Sequence, residues 1–371
     1  MANQDNSPGR AKKVGKSQVR GFRYTDRPYP MVECTVPGLS HEAFDGEWNP
    51  SPGSVMRVDA FTRMFAVFKP INEEGGKAKE ADTQSSCTNS DDDGRSGPSS
   101  NNTTASFSDF FTLKNVLGFQ QVWQTMDSGN AFLNWPRLAE EYLAFSSCSE
   151  FTMTPALYDP DVPKWPLDFR FTLGFVGACT LTLTADFHAF GDGGEKILLW
   201  QNKTQVVMVN KETRQPTKIP SWFMDKYKDR GDLKQALVIK PVKRPAVTFY
   251  HPILVQWSDT DEFGHANWAS YVQWAADAVH AALRPSKGSN QPPSASTAPA
   301  LRGLTRETYS RGLAKFQVSY YRECVEGDQV EAHVWQDKSD GDPGLVYCCL
   351  VKDREEICQV KMWYFKGDKT T

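Results

Sequence analysis

Apolar and polar positions along the chain fall into two successive series of strand-length runs, each built around one stretch with helical spacing. In residues 53–68 (GSVMRVDAFTRMFAVF), Val55, Val58, Phe61, Thr62, Phe65 and Phe68 share one face of a helix. Strand-like runs follow at 168–175, 178–190 and 196–210, with Gly191, Asp192, Gly193 and Gly194 marking a turn between the last two. The second series opens with VTFYHPILVQWS, 247–258, read as a strand. It continues into ANWASYVQWAADAVHAAL, 266–283, where Tyr271, Ala275, Ala278, Val279 and Ala282 form a helical stripe. Four more strand runs close it, at 313–324, 329–337, 344–353 and 356–366. A single long helix among antiparallel strands buries its stripe against one sheet face, so each half predicts an α+β unit of one helix and several strands.

Between these elements lie two stretches with almost nothing to bury. Residues 71–106 are rich in Ser, Asn, Asp and Gly, and 284–300 read RPSKGSNQPPSASTAPA. Such segments do not offset their conformational entropy by burial and are expected to be flexible insertions. The division that results is a basic disordered tail over 1–28, a first domain over 29–220 carrying the insertion 71–106, a linker over 221–246, and a second domain over 247–371 carrying the insertion 284–300.

Composition narrows the functional classes. The 371 residues suffice for two domains, and 39% hydrophobic with 12% aromatic content excludes a wholly disordered chain. A net charge of -3 gives no global case for nucleic-acid binding. The tail leans basic, with Arg10, Lys12, Lys13, Lys16, Arg20, Arg23 and Arg27 against Asp5 and Asp26, and reads as a solvated segment more readily than a targeting sequence. No run has the length of a membrane span. The eight cysteines show no C-x-x-C spacing, and several sit inside apolar strand runs. An intracellular, reducing location is expected, cytoplasmic or organellar, with no secretion, no metal and no cofactor.

The densest chemistry is SDTDEFGHANWASYVQWAADA, 258–278, where a strand hands over to the second helix. A helix start leaves backbone N–H groups available to a developing oxyanion. Asp261 and His265 flank that start, and Gly264 allows close backbone approach. Thioester hydrolysis needs a general base or a nucleophile, and donors on the carbonyl oxygen; a carboxylate beside a helix start can supply the first and the amides the second. The same residues also suit an ordinary N-cap with a hydrogen-bonded turn histidine.

DTDEFGHANWASY resembles the signature of hotdog-fold thioesterases, in which an Asp-rich turn precedes Gly-His-Val-Asn-Asn and a Tyr. A closer similarity is to plant-type acyl-ACP thioesterases, which are tandem hotdogs. Their second domain carries Asp-x-Asn-x-His-Val-Asn-Asn followed by Tyr and Trp, matched here by Asp261, His265, Asn267, Tyr271 and Trp274. SYYREC, 319–324, is similar to the family's Tyr-Arg-Arg-Glu-Cys strand, and VVMVNKETRQPTKIP, 206–220, to the stretch that ends the first hotdog. The resemblance implies a double hotdog, each half a long central helix wrapped by an antiparallel sheet, the two halves pairing within one chain. A homodimer of such chains is left open. It implies a hydrolase of fatty acyl-CoA or acyl-ACP with Asp261, His265 and Glu323 catalytic, and Gly264, Ala266, Asn267 and Tyr271 binding substrate. Cys324, beside Glu323, is read as a packed neighbour. Two departures stand out: Phe263 replaces the family's Asn in Asp-x-Asn-x-His, and Trp268 replaces the second Asn of the pair. They put acyl-ACP specificity in question and motivate the alternative, an inactive double hotdog that binds an acyl chain or a partner.

The matching turn of the first half, HEAFDGEWNPSPGS at 41–54, has Asp45, Glu47 and Asn49 but no His at the corresponding place. It is faintly similar to the Asp-x-Asn-Pro-x-His motif of hotdog hydratases, and the missing His argues against hydration. Met56, Phe61, Met64, Phe65 and Phe68 suit an ordinary core, and equally the wall of an acyl tunnel.

Overall fold

Strand alternation carries the architecture. A computed structural model of the protein describes residues 20–36, 38–39, 50–57, 59, 131–261, 264–284, 299–301, 303–337 and 341–366. The first half contributes β1 (Arg20–Thr25), β2 (Met31–Val36), α1 (Trp135–Glu141), β3 (Tyr142–Met153), β4 (Leu167–Val176), β5 (Thr180–Phe190) and β6 (Lys196–Asn210). Next come α2 (Ser221–Tyr227), β7 (Phe249–Leu254), α3 (Trp268–Leu283), α4 (Arg306–Ser310), β8 (Leu313–Tyr320), β9 (Gln329–Trp335), β10 (Leu345–Lys352) and β11 (Glu355–Tyr364).

These strands form one antiparallel sheet in the order β1-β2-β4-β5-β6-β3-β8-β11-β10-β9-β7. The order repeats. From β2 inward the first half runs β2-β4-β5-β6-β3, and from the opposite edge the second runs β7-β9-β10-β11-β8. In each, the second strand along the chain lies farthest from the first, with the helical segment between them in sequence. The halves join where β3 pairs with β8, from Cys148↔Ser319 to Thr152↔Lys315. Phe151 stacks on Phe316 across this seam, ring centroids 4.6 Å apart. On the other face Glu150 meets Lys315 at 2.7 Å and Gln317 at 2.6 Å.

α3 packs on β7, β9, β10 and β11. Its expected stripe is buried throughout: Tyr271, Ala275, Ala278, Val279 and Ala282 are at most 3% exposed. β10 is buried on both faces because α3 covers one, while on the other Leu345, Tyr347, Cys349 and Val351 cluster with Trp335 under Val242 of the linker. The linker crosses the sheet's outer face. Asp232 and Leu233 donate to Leu173 and Gly174 carbonyls at 3.0 and 2.9 Å, and Gln359 brackets Val242 with bonds of 2.9 and 2.8 Å. Gly231 is required there, since a Cβ would lie 1.9 Å from the Gly174 carbonyl oxygen.

Several boundaries move. The tail expected over 1–28 gives way at Arg20 to β1, which pairs with β2. β3, unexpected from its polar sequence, is the seam strand: Ser149 is buried because Thr204 takes its hydroxyl at 2.9 Å, and Glu150 turns outward to its lysine. The strand expected over 247–258 ends at Leu254 and continues as the 3-10 turn Trp257–Asp259. The linker opens with α2. The first-half helix is described only at 52–57 and 59, which are helical; Val58, Phe61, Thr62, Met64, Phe65 and Phe68 lie outside the described residues. So do the insertion 71–106 and, of the second insertion, 285–298; Pro299–Leu301 form a short turn with Leu301 buried.

Candidate active site

α3 starts at Trp268 because Asn267 caps it. The Asn267 Oδ1 accepts the Ala269 N–H at 3.0 Å, and the Asn267 N–H donates to the Asp259 carbonyl at 2.7 Å. Asp259 is itself fixed, its carboxylate accepting the Gln256 N–H at 2.9 Å and its carbonyl accepting the Ser270 hydroxyl at 3.0 Å. Between these anchors the chain folds back on itself. The Asp261 N–H donates to the His265 carbonyl at 2.8 Å, and the Gly264 N–H to the Asp261 carbonyl at 3.0 Å. Gly264 has φ +74 and open space where a Cβ would stand, so glycine serves the backbone conformation rather than a close approach. Residues 262 and 263, and with them Phe263, lie outside the described residues, as do 41–49 of the first-half turn.

The strip 264–267 runs along the segment 323–325. The Ala266 N–H donates to the Cys324 carbonyl at 2.7 Å, and His265 pairs with Val325. This register brings His265 Nε2 to 3.4 Å from Glu323 Oε2. The hairpin thus holds Asp261 by its backbone to the residue that meets Glu323. Glu323 has a second partner that sequence reasoning did not single out: Arg214 Nη2 lies 3.3 and 3.4 Å from its two carboxylate oxygens. Arg214 comes from the turn after β6, in the first half. The available signal was the TRQPTKIP stretch, whose similarity was noted without a role for the arginine.

Tyr271, expected to bind substrate, lies beneath the segment that carries Glu323. It is 3% exposed, and its hydroxyl donates to the Arg322 carbonyl at 3.3 Å and accepts the Cys324 N–H at 3.1 Å. It braces the Glu323 segment from below. Burial, with Cys324 alongside, pushes its phenol well above the ordinary tyrosine range, so it stays a neutral hydroxyl. Burial likewise raises the Cys324 thiol, which is fully buried and stays protonated, consistent with a packed neighbour rather than a nucleophile.

The amides expected to hold an oxyanion are largely committed. Gly264, Ala266 and Asn267 donate to the carbonyls of Asp261, Cys324 and Asp259. Of the strip 264–267, only the His265 N–H has no backbone acceptor among the described residues. Around this turn the surface is apolar, with Leu254, Trp257 and Val325 exposed by 50%, 69% and 44%. Bonds between Val255 and the 327–328 turn hold these segments together. Among the described residues no group of His, Cys, Asp and Glu is arranged to hold a metal, and no helix is long and apolar enough to cross a membrane.

No family model matches the sequence, and no curated protein matches it. Solved structures do. A putative oleoyl thioesterase from Lactobacillus plantarum superposes with a TM-score of 0.53 at 12% identity, covering 92% of this chain and 98% of that one. A 12:0-ACP thioesterase from Umbellularia californica superposes with a TM-score of 0.51 at 11% identity, covering 91% and 98%. The structural neighbours are hotdog-fold thioesterases, and at this identity the likeness establishes the fold: a large hotdog-type antiparallel sheet with few helices.

Proposed function

We propose that the chain is a tandem hotdog acyl-thioester hydrolase that cleaves fatty acyl-CoA or acyl-ACP to free fatty acid and thiol, with its active site in the second half. Support for two hotdogs comes from the strand order used twice and joined at β3–β8. The observation that carries the chemistry is the meeting of His265 and Glu323 at the mouth of α3, within the hairpin that begins at Asp261. Both Glu323 oxygens are engaged by Arg214, one also by His265, so Glu323 is read as orienting the histidine. Activation of water is assigned to Asp261 from the resemblance of DTDEFGHANWASY to the hotdog thioesterase signature. In this reading Asp261 takes a proton from water as its oxygen attacks the thioester carbonyl carbon. The C–S bond then breaks, and the thiolate leaves with a proton relayed through His265. The His265 N–H holds the carbonyl oxygen. Asn267, Gly264 and Ala266 shape the turn, and Tyr271, expected from the sequence to touch substrate, positions Glu323 instead. The exposed Leu254, Trp257 and Val325 suit the approach of an apolar chain.

The test is release of free thiol from acyl-CoAs and acyl-ACPs across a chain-length series. Turnover of at least one thioester is expected, and the preferred carrier and length define the substrate. No release from any member, alongside retained acyl-chain binding, would leave the non-catalytic acyl-binding reading in its place.

A further inference from the structure

We infer that Arg214 is a positioning residue through which the first half completes the second half's site: it clamps Glu323, and Glu323 so held orients the His265 ring. The inference rests on the reading of this site as catalytic, and it adds a residue and a dependence between halves that the reading does not contain.

Three observations meet at Arg214. Its Nη2 reaches both Glu323 oxygens, at 3.3 and 3.4 Å, and one of them, Oε2, also lies 3.4 Å from His265 Nε2. Its guanidinium also lies over the Phe145 ring of β3, 5.1 Å from the centroid, which restrains a side chain that would otherwise sample many rotamers. Its backbone stands at φ +57, in the left-handed region where a residue with a Cβ is disfavoured. The turn is built to hold it there. The Asn210 Oδ1 accepts the Glu212 and Thr213 N–H groups at 3.0 and 2.8 Å, and the Asn210 carbonyl accepts the Arg214 N–H at 3.0 Å. The Asn210 N–H in turn donates to the Gln215 carbonyl at 3.0 Å.

A glycine would occupy that backbone position with less strain, so the side chain is what the turn serves. Stability does not account for it. Arg214 and Glu323 side chains are 47% and 46% exposed, and an ion pair so open to water contributes little to folding. What it does supply is direction: without it Glu323 is an exposed carboxylate with several rotamers, and His265 loses a fixed neighbour. Misplacement of a catalytic group by about 1 Å costs on the order of 10²-fold in rate.

The experiment combines kinetics with the NMR chemical shifts of the His265 ring in full-length protein carrying Arg214→Gln, Glu323→Gln, both changes, or Arg214→Lys. Expected are a fall in kcat of roughly 10²-fold for Arg214→Gln with KM near wild type, unchanged melting temperature, and partial recovery in Arg214→Lys. The double variant should be no slower than Glu323→Gln alone, because both changes break one chain of contacts. The His265 ring resonances should shift in Arg214→Gln but be indifferent to that change when Glu323 is already Gln. Independent, multiplying losses, or an effect confined to KM, would overturn the inference and make Arg214 a separate substrate contact. A protein that releases no thiol would defeat the functional reading alone, since the coupling seen at His265 still decides the role of Arg214.

Discussion

The two halves run their strands in one order but fill the space beside the sheet differently. In the first, large rings pack against one another: Phe169 tilted against Phe187 at 4.9 Å, Phe187 stacked on Trp200 at 4.2 Å, and Phe132 tilted against Phe171 at 5.2 Å. A buried polar chain runs beside them, from Ser149 to Thr204 at 2.9 Å, Thr204 to Asn202 at 3.1 Å and Asn202 to Asp59 at 2.8 Å. In the second, α3 meets the sheet through Ala275, Ala278 and Ala282, all within 1% of full burial. Small side chains bring the helix backbone close to its sheet, so the start of α3 and the turn before it are placed by backbone contacts. A turn proposed to carry catalytic groups needs that precision. Rings fill the first-half core instead, and among the described residues that half sends to the site a cation on a turn.

One continuous sheet carries both fillings. Trp200→Ala, in the first half, should cost about 3–5 kcal/mol, and the unfolding transitions reported from both halves should shift together. Two separate transitions in urea, with only the first-half probe displaced, would mean that the β3–β8 seam does not couple the halves.

A smaller effect sharpens the account of the second half. Tyr271→Phe keeps the ring and removes the hydroxyl that satisfies the Cys324 N–H. A loss of about 1–3 kcal/mol is expected from the stranded donor, with a fall in kcat exceeding any change in KM. Wild-type stability and rate in this variant would remove Tyr271 from the support of Glu323.

The smallest effect concerns pH. Burial works to raise the Asp328 carboxyl, but Lys352 and the Val325 N–H outweigh it, and its pKa in the folded protein lies below the ordinary aspartate value. A carboxyl depressed in this way contributes stability above its unfolded pKa of about 3.9 and loses it as pH falls through the folded value. Asp328→Asn should therefore be less stable than wild type at pH 7, with the gap closing below about pH 4 in urea titrations. A gap that stays constant into acid would show that the charge on Asp328 is not what holds the 325–328 turn beside the site.

Much of this was legible in the sequence where periodicity and burial agree. β6 spans the expected 196–210, and α3 departs by two residues from the expected 266–283, because Asn267 serves as cap rather than first turn. β3 was hidden because its burial is satisfied by hydroxyl and charge partners on other strands, which one sequence does not display. At the site, the segments bearing His265 and Glu323 were marked by their motifs, and they meet. Arg214 went unassigned because its role depends on how a turn of one half is aimed at the other. The oxyanion expectation was too generous for a related reason: a helix start leaves amides unpaired only until tertiary partners take them, and the carbonyls of Asp261, Cys324 and Asp259 take three.

The central claim is that the carboxylate at position 261 drives thioester cleavage. It is tested most directly by the rate of thiol release in Asp261→Asn beside wild type, on the best thioester found, with equal melting temperatures confirmed. The account predicts a loss of about 10²–10⁴-fold in kcat. Equal turnover by the two proteins would contradict it.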